Sequence, residues 1–520
     1  MTFLPIVDRE LRAAARRKGT YRLRSWTAVV GMLAGFGFLL AYWVSPGRGN
    51  MGDSLFTVLS GYTFGLCALA GVFLTADCLS EEKREGTLGL LFLTDLKGYD
   101  VALGKFLGRS LNALYGLLAL LPVLGLALLL GGVTGREFWR MALALVNALL
   151  FSLALGLAVS AVARDSQRAM GCTFGCLLAF LAGLPALTGL RHAGLWVAWL
   201  SPLYPFANAR EWMYLGRAAD FWGPLVCSQL LSWLFLGFAG CALPRLWREP
   251  GKEGSLEWHF KPLGARNLLR TEARAPARAR TRERLLARNP LLGLLSSQKN
   301  PAKAAWLIVI VWGLVVILAP MFVPRPAASV VVGWYVMRPF GFLLKVLFTF
   351  QLCRFLVEAR SNGILEALLC TPLTSRDILK GHTLALRRSF LWPVVTFLGL
   401  LLAPVGAAFM QFVQTADFPS FMGFLGGSFS AIFGGVRLVA DICALYWFGL
   451  WLALWLKRPA FAPGLAVLYV LVLPTPLSFC LVDIFADLFF ILWGATQLQQ
   501  DWRWLLARQY SQLGARSGVR

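Results

Sequence analysis

Five charged residues lie inside long apolar runs in the second half of the chain, at Lys345, Arg437, Asp441, Asp483 and Asp487. Charged side chains are costly in a hydrocarbon environment, so their presence indicates either a function or a compensating partner. Arg437 and Asp441 are four residues apart and would face the same side of a helix. Two interpretations stay open: a mutually neutralised structural ion cluster, or a polar lining of a pathway through a membrane.

The sequence lacks the motifs of nucleotide, metal and covalent chemistry. Its nearest approach to the phosphate-binding pattern G-x-x-x-x-G-K-[ST] is GYDVALGKF, from Gly98 to Phe106. This segment has the wrong spacing, and Phe106 stands where the pattern requires the hydroxyl of serine or threonine. The ten cysteines are scattered, and His192, His259 and His382 are far apart in the sequence. We therefore predict no metal site, no catalytic residue and no cofactor bound by this chain.

The composition places the chain in a membrane. Of its 520 residues, 58% are hydrophobic and only 15% are charged, with a mean hydropathy of +0.65. A soluble chain has roughly 45–50% apolar and roughly 25% charged residues, so lipid must act as the solvent for much of this one. The net charge of +24 would indicate nucleic acid in a soluble protein. Here the basic residues occupy short segments between apolar runs, so we predict no nucleic-acid partner.

Twelve apolar segments approach the roughly 20 residues that cross a hydrocarbon core as a helix. The predicted spans are 26–45, 55–76, 107–132, 141–163, 169–190, 221–244, 304–323, 339–356, 389–411, 436–456, 459–476 and 479–498. The fold class predicted from them is an all-α polytopic membrane protein of two tandem six-helix repeats.

The distribution of arginine and lysine predicts the orientation. With the N-terminus in the cytoplasm, the cytoplasmic segments hold 40 of the 50 Lys and Arg residues, and the outer loops hold 8. Cytoplasmic loops of membrane proteins carry such an excess of positive charge. We therefore expect an even number of spans, with the N- and C-termini both cytoplasmic.

A long basic segment separates the two predicted halves. The predicted domains are 1–245 and 304–498, joined by a cytoplasmic linker at 246–303 and followed by a tail at 499–520. The linker contains ARAPARARTRERLLARNP and is interpreted either as a solvated segment near anionic lipid or as a regulatory docking segment. The aromatic outer loop 191–217 is expected to be interfacial or re-entrant.

The chain contains an internal repeat. EEKREGTLGLLFLTDLKGYDVALGK at 81–105 aligns without a gap with EARSNGILEALLCTPLTSRDILKGH at 358–382, at an offset of 277. The identical pairs are Glu81/Glu358, Gly86/Gly363, Leu88/Leu365, Leu91/Leu368, Thr94/Thr371, Leu96/Leu373, Asp100/Asp377 and Gly104/Gly381. Both copies follow the second predicted span of their half and precede the third, which indicates that the halves are duplicates.

Each copy predicts a short amphipathic helix that leaves the membrane. GTLGLLFLT and GILEALLCT carry leucines at helical spacing but are too short to span. A break follows, and then a second short segment that leads back into the bilayer. The apolar face must be covered, either by lipid headgroups as an interfacial helix or by the groove of a partner protein.

These residues carry a family resemblance. The pattern E-x(4)-G-x-L-x-x-L-L-x-T-P-L resembles the loop after the second helix of ABC-2 type permeases, the membrane subunits of ATP-binding-cassette exporters. The second copy fits better, with Glu366 and Pro372, where the first copy has Gly89 and Asp95. The opening PIVDRELRAAARRKGTYRLRSW also resembles the interfacial helix that precedes the first span in that family.

The resemblance implies a coupling function for both copies. The expected contacts with an ATPase are Glu81, Gly86, Leu88, Leu91, Thr94, Glu358, Gly363, Leu365, Glu366, Leu368 and Thr371. It implies two copies of a soluble ABC ATPase as partners, which would bind ATP and Mg, and membrane lipid around the permease. It also implies a permease that forms the substrate pathway, in a bacterial inner membrane.

Two other functions compete with the exporter interpretation. Twelve helices in two halves also suit an ion-coupled secondary transporter, for which the intramembrane charges would be the coupling groups. A membrane-embedded enzyme or scaffold is the third alternative. A soluble ATPase that associates with the chain would favour the exporter over both.

Overall fold

In a computed structural model of the chain, the described residues form helices and turns and no strand. These residues are 12, 18–44, 50–85, 97–163, 166–183, 199–246, 302–322, 337–361, 375–415, 417–456, 459–472, 474 and 483–498. The described contacts divide the chain into two compact units. The first unit is Met1–Glu253 with Val472–Asp483, and the second is Gly254–Leu471 with Ile484–Arg520. The predicted domain limits stay predictions, because residues 247–301 lie outside the described part.

The first unit contains nine helices among its described residues. They are α1 (Lys18–Val44), α2 (Met51–Leu74), α3 (Cys78–Glu85), α4 (Gly98–Leu129), α5 (Gly135–Val162), α6 (Ser166–Leu178), α7 (Leu203–Ala207), α8 (Glu211–Tyr214) and α9 (Ala219–Leu246). A π-helical turn at Ala179–Gly183 extends α6. The end of α4 is set by Gly131 and Gly132, whose φ angles of 81° and 89° are accessible to glycine at little cost.

The second unit contains seven helices among its described residues. They are α10 (Ala302–Phe322), α11 (Met337–Ser361), α12 (Ser375–Leu401), α13 (Ala403–Thr415), α14 (Phe418–Trp455) and α15 (Ala462–Val467), followed by α16 (483–498). A π-helical turn at Leu468–Val472 extends α15, as another extends α6 in the first unit.

Seven helices in the described part are long and apolar enough to cross a membrane. They are Met51–Lys83, Gly98–Leu129, Gly135–Val162, Ala219–Pro244, Phe340–Val357, Asp377–Leu401 and Ser420–Trp455. Shorter apolar stretches lie at Thr27–Leu40, Arg168–Leu181, Ala302–Leu314 and Ala462–Val472. All twelve predicted spans overlap a described helix. The predicted fold class, an all-α polytopic membrane protein, is confirmed, and the number of crossings stays a prediction.

Helix α5 is the centre of the first unit. It contacts α2, α3, α4, α6 and α9. In its most apolar stretch 78% of the residues are buried, against 28% in that of α9. Small residues allow α2 to approach it closely: a Cβ atom on Gly71 would lie 1.9 Å from the carbonyl oxygen of Ser152. Such small-residue crossings suit membrane interiors, where close packing replaces the hydrophobic effect as the force between helices.

The second unit repeats the helix pairings of the first. In the first unit α1 packs on α2 and α4, and α2 packs on α5 and α6. In the second, α10 packs on α11 and α12, and α11 packs on α14 and α15. The recurrence extends the similarity of the two halves well beyond the 25 aligned residues of the sequence repeat.

An additional helix distinguishes the second unit. Ser152 of α5 donates to the carbonyl oxygen of Ala68 of α2, 84 residues earlier. Lys345 of α11 aligns with Ala68 at the offset of the repeat, and its partner Asp441 of α14 lies 96 residues later. The difference of 12 residues is close to the length of α13, a 13-residue helix with no described counterpart between α4 and α5. Helix α14 is also longer than α5, with 38 residues against 28.

The third helix of each half begins earlier than predicted. We expected spans at 107–132 and 389–411, each preceded by a separate short segment. Instead, α4 runs unbroken from Gly98 and α12 from Ser375, and α12 ends at Leu401, inside the predicted span. The Asp100 carboxylate accepts a hydrogen bond from the Lys97 backbone N–H at 3.1 Å, which stabilises the early start of α4.

Candidate functional sites

Few of the predicted partner contacts lie in the described part of the chain. Glu81 is half-buried on α3, and Glu358 is on α11, although its side chain is outside the described set. The others lie outside the described residues: Gly86, Leu88, Leu91, Thr94, Gly363, Leu365, Glu366, Leu368 and Thr371. The predicted contacts therefore stay predictions. What the structure describes is how the chain is held on both sides of 86–96.

The beginning of α3 is fixed by a hydroxyl group from α5. The chain turns at Thr75–Asp77, and the Ser160 Oγ atom then accepts hydrogen bonds from the backbone N–H groups of Leu79, at 3.0 Å, and Ser80, at 3.1 Å. The first N–H groups of a helix have no partner within the helix, so a buried helix start needs such an acceptor. Ser160 supplies it from a different element.

Two lysines fix the rest of α3. The Lys83 Nζ atom donates a hydrogen bond to the carbonyl oxygen of Ala161 on α5. The Lys105 Nζ atom of α4 lies 2.7 Å from Glu82 Oε1, with the two side chains only 13% and 17% exposed. We call this set the α3 corner, meaning α3 with Ser160 and Ala161 of α5 and Lys105 of α4. It joins the start of the predicted partner-binding segment to two neighbouring helices.

Hydroxyl groups continue this junction along α2 and α5. The Thr75 Oγ1 atom lies 3.0 Å from the Gly71 carbonyl oxygen and 2.9 Å from that of Leu153, so a single hydroxyl has an acceptor on each of the two helices. The Gly71 N–H donates to Ser152 Oγ at 2.9 Å. A Cβ atom on Gly156 would lie 2.3 Å from Thr75 Oγ1. The interface therefore depends on backbone atoms and small side chains.

The corresponding corner of the second unit has a different composition. The repeat places His382 at the position of Lys105, and Ala359 at that of Glu82. His382 is 4% exposed, and its ring lies 5.8 Å from that of Phe355, measured between centroids. An imidazole packed against an aromatic ring thus takes the place of an ion pair. Helix α11 also runs without a break to Ser361, where the first unit turns between α2 and α3.

The intramembrane charges are partly assembled. Lys345 of α11 and Asp441 of α14 form an ion pair, with exposed side-chain fractions of 14% and 5%. Arg437 is half-buried one turn from Asp441 on α14, and Asp483 and Asp487 are buried on α16. Asp483 is grouped with the first unit and the other four with the second. The predicted pathway or ion cluster stays a prediction beyond the one described pair.

A second polar cluster, which the sequence analysis did not identify, lies at the opposite end of α5. Arg210, before α8, donates to Asp53 Oδ1 at 2.8 Å and also to the Thr57 hydroxyl of α2. Arg140 of α5 donates to the Glu211 carboxylate and, through Nε, to the Ala209 carbonyl oxygen at 3.2 Å. We call these contacts the arginine clamp, because both arginines attach the α7–α8 segment to the spanning helices.

Other contacts stabilise the charges in the arginine clamp. The Arg140 guanidinium lies 4.1 Å from the ring centroid of Tyr214, and the Thr134 hydroxyl donates to Glu211 Oε2 at 3.2 Å. The hydrogen bond from Arg140 holds the pKa of Glu211 below its usual range, and the nearby positive charges act in the same direction. The sequence signal was present, since arginines are rare in the predicted outer loops and Arg210 directly precedes Glu211.

An open depression borders the start of α5 in the described part of the chain. It is shallow, with a volume of about 560 Å³, and is lined by Thr134, Gly135, Arg136, Trp139 and Glu211. No group of three His, Cys, Asp or Glu side chains that could hold a metal ion occurs among the described residues.

Comparison with known proteins gives a family match for the first half of the chain. Residues 12–242 match the family described as ABC-2 family transporter protein. The match includes the α3 corner, the predicted contacts Glu81–Thr94 and the arginine clamp. Curated proteins compared with the chain give no significant match. The relation of the second unit to this family rests on the sequence repeat and on the recurring helix pairings.

Proposed function

Residues 12–242 belong to the ABC-2 family of transporter proteins, and from this premise we propose that the chain is the membrane-spanning permease of an ABC exporter. As a member of that family it is an integral membrane component of an ABC transporter. The finer proposal is that it forms the substrate pathway and couples to separate ATPase subunits through 86–96 and 363–373.

The α3 corner carries this proposal. A segment that receives force from a partner must be attached firmly to the helices that it moves. Ser160, Lys83 and the Lys105–Glu82 ion pair attach α3 to α5 and α4 immediately before 86–96, and α4 begins immediately after it. A segment that only rested on lipid headgroups would not need such attachment at its start.

The sequence supports a separate ATPase as the source of energy. No Walker A pattern occurs in the 520 residues. We propose that two copies of a soluble ABC ATPase bind the chain, one at each repeat, and that ATP and Mg bind to those partners. The fusion of two similar halves would allow a single chain to engage both copies.

We propose the bacterial inner membrane as the location, with both termini in the cytoplasm. The support is the bias of 40 against 8 basic residues between the two sides. Reporter fusions at residues 250 and 520 should both be active only in a cytoplasmic assay. Activity in a periplasmic assay would contradict the orientation and, with it, the assignment of the α3 corner to the side of the ATPase.

An affinity purification in mild detergent tests the coupling proposal. Wild-type protein should retain a soluble ATPase, and Leu88→Arg with Leu365→Arg should release it, because a charge on each apolar face opposes docking in an apolar groove. Trp139→Arg is the matched control, since Trp139 is an exposed apolar side chain that lies at the other end of α5. The Trp139→Arg control should retain the ATPase. An unchanged elution volume of the double arginine variant then excludes misfolding as the cause of release.

Two outcomes would contradict the proposal. Failure of the wild-type protein to retain an ATPase from native membranes would remove the exporter interpretation. Ion-coupled transport would then become the leading function, with Lys345 and Asp441 as its first residues to test, since this ion pair is the described feature that favours it. Equal retention in wild type and in the double arginine variant would place the contact elsewhere on the chain.

A further inference from the structure

We propose that α5 transmits movement between the α3 corner and the arginine clamp, and that Ser160 and Arg140 are the positioning residues at its two ends. This inference rests on the proposed function in one respect, namely that the α3 corner is where an ATPase acts. It adds the helix that carries the displacement and the segment that responds. A displacement of α3 should alter the α7–α8 segment at the other end of the first unit.

Ser160 makes α3 and α5 a single body at the first end. Its side chain is fully buried, and its oxygen accepts two backbone hydrogen bonds from the start of α3. The Lys83 contact with the Ala161 carbonyl oxygen lies one residue further along α5. Because Ser160 joins the α5 backbone to the α3 backbone through one small side chain, and Lys83 adds a second contact, α3 has little freedom to move without α5.

Arg140 makes the equivalent connection at the second end. It lies in the second turn of α5 and binds both the Glu211 carboxylate and the Ala209 carbonyl oxygen. Thr134, directly before α5, accepts from the Glu137 N–H at 3.2 Å and donates to Glu211 at 3.2 Å. The start of α5 is therefore attached to the α7–α8 segment through two side chains that share one carboxylate.

The helix between these ends is well suited to carry a displacement. It has 28 residues, which corresponds to about 42 Å at about 1.5 Å per residue. It contains no proline, whereas α4 contains Pro122 and α9 contains Pro224 and Pro244. Proline in a helix interior removes a hydrogen bond and favours bending. Helix α5 therefore shares with α1 and α2 an interior that no proline interrupts, unlike α4 and α9.

Contacts along α5 make it move with its neighbours rather than bend. Asn147 Nδ2 donates to Ser228 Oγ of α9 at 2.7 Å, and the Gly71–Ser152 crossing fixes the register with α2. A tightly packed element of this kind shifts as a unit, because interiors at crystal-like density transmit displacement. The same packing predicts that the effect runs in both directions, since coupling between two sites is reciprocal.

Amide hydrogen exchange of the whole protein in detergent tests the link. Exchange is measured in two segments, 78–85 of the α3 corner and 199–218 of the α7–α8 segment. Arg140→Gln should raise exchange in 78–85, and Ser160→Ala should raise exchange in 199–218, each by about fivefold or more. Ser160→Thr keeps the hydroxyl group and should restore the wild-type rates in 199–218.

Ser232→Ala is the matched control for Ser160→Ala. Ser232 is also buried, but its hydroxyl donates to the Ser228 carbonyl oxygen within its own helix, α9. In the Ser232→Ala variant, amide exchange of 199–218 should equal that of the wild-type protein. If Ser160→Ala changes only 78–85 while 199–218 exchanges as in wild type, Ser160 is a local structural residue and the proposed link is wrong.

A second arm separates this inference from the proposed function. When the ATPase co-purifies, nucleotide trapping should change exchange in 199–218 of the wild-type protein, and Ser160→Ala should abolish that change while the ATPase is still retained. Loss of the ATPase from wild type would contradict the proposed function alone, because the first arm needs no partner. A full nucleotide response in Ser160→Ala would overturn the inference alone.

Discussion

The two halves of this protein reach equivalent corners through the same order of helices but hold them with different chemistry. In the first unit, α3 is attached by the Ser160 hydroxyl and by the Lys105–Glu82 ion pair. In the second, the repeat puts His382 in the place of Lys105, and the imidazole packs against Phe355 in the absence of a carboxylate at Ala359. A duplicated fold thus preserves which helices touch while the side chains that join them diverge.

The same contrast appears deeper in each unit, where α2 crosses α5 and α11 crosses α14. The first crossing consists of backbone atoms and small side chains, with Gly71 against Ser152. The second contains the Lys345–Asp441 ion pair, and the Cys353 thiol donates to the Gly449 carbonyl oxygen at 3.6 Å. The first crossing should therefore be sensitive to added volume, and the second to an unbalanced charge.

The largest expected effect is on the charged crossing. Lys345→Met removes the cation of a buried pair, and we expect a loss of stability of about 3–5 kcal/mol, because Asp441 keeps its desolvation cost without its partner. Lys345→Met combined with Asp441→Leu should recover most of this loss. Thermal unfolding in detergent, followed by the soluble fraction, measures both. Equal melting of the single and double variants would show that the pair is not coupled.

Added volume should damage the small-residue crossing next most strongly. A Cβ atom on Gly71 would lie 1.9 Å from a backbone oxygen that cannot move aside, so Gly71→Ala should cost about 1–3 kcal/mol. Gly65→Ala on the same helix has no atom within 4 Å of its Cβ position and should be neutral or stabilising. The comparison of the two melting temperatures isolates the crossing, and identical melting would contradict the close approach.

A smaller effect is expected when the two corners are compared directly. Lys105→Met breaks an ion pair whose side chains are 13% and 17% exposed, and we expect faster amide exchange in 78–85. The cost should be smaller than that of Lys345→Met, because Glu82 keeps more contact with solvent than the 5% exposed Asp441. His382→Leu replaces a buried imidazole with an apolar side chain and removes no ion pair, so its cost should be smaller. If His382→Leu is the more damaging change, the imidazole makes an essential polar contact that the ion-pair comparison overlooks.

The smallest expected effect is the pH dependence of the arginine clamp. The pKa of Glu211 is lowered in the folded protein, so its stabilisation is complete above the ordinary carboxyl pKa. It is lost as the pH falls through the lowered value. Exchange in 199–218, corrected for the intrinsic pH effect, should stay constant from pH 8 to pH 6 and rise in stronger acid. Below pH 6, Glu211→Gln should show a smaller rise in exchange than wild type, because only the Asp53 carboxylate of the clamp can then still be protonated.

The sequence was sufficient for the fold class because lipid imposes a simple rule. Each predicted span overlaps a described helix, since long apolar runs have few other stable structures in a bilayer. The sequence also showed the repeat at 81–105 and 358–382. Its first copy lies within residues 12–242, which match a transporter family. The starts of α4 and α12 were missed because polar helical turns continue an apolar helix without a change in composition.

The contacts of the candidate sites could not be read from the sequence. Ser160 is one serine among several in apolar segments, and its importance depends on the register between α5 and α3. The arginine clamp joins Asp53 to Arg210, which are 157 residues apart. The effect of α13 was also hidden, because a short apolar helix next to a span resembles part of that span.

The length of α14 has a consequence for the surrounding lipid. Its 38 residues correspond to about 57 Å, whereas the hydrocarbon core of a bilayer is about 30 Å thick. The excess is taken up by turns of α14 that extend beyond the hydrocarbon core, by tilting of the helix or by local thickening of the bilayer; the last two are responses to hydrophobic mismatch. The second half of the permease should therefore respond to the chain length of the lipids around it more strongly than the first, and lipids with longer acyl chains should be enriched beside α14.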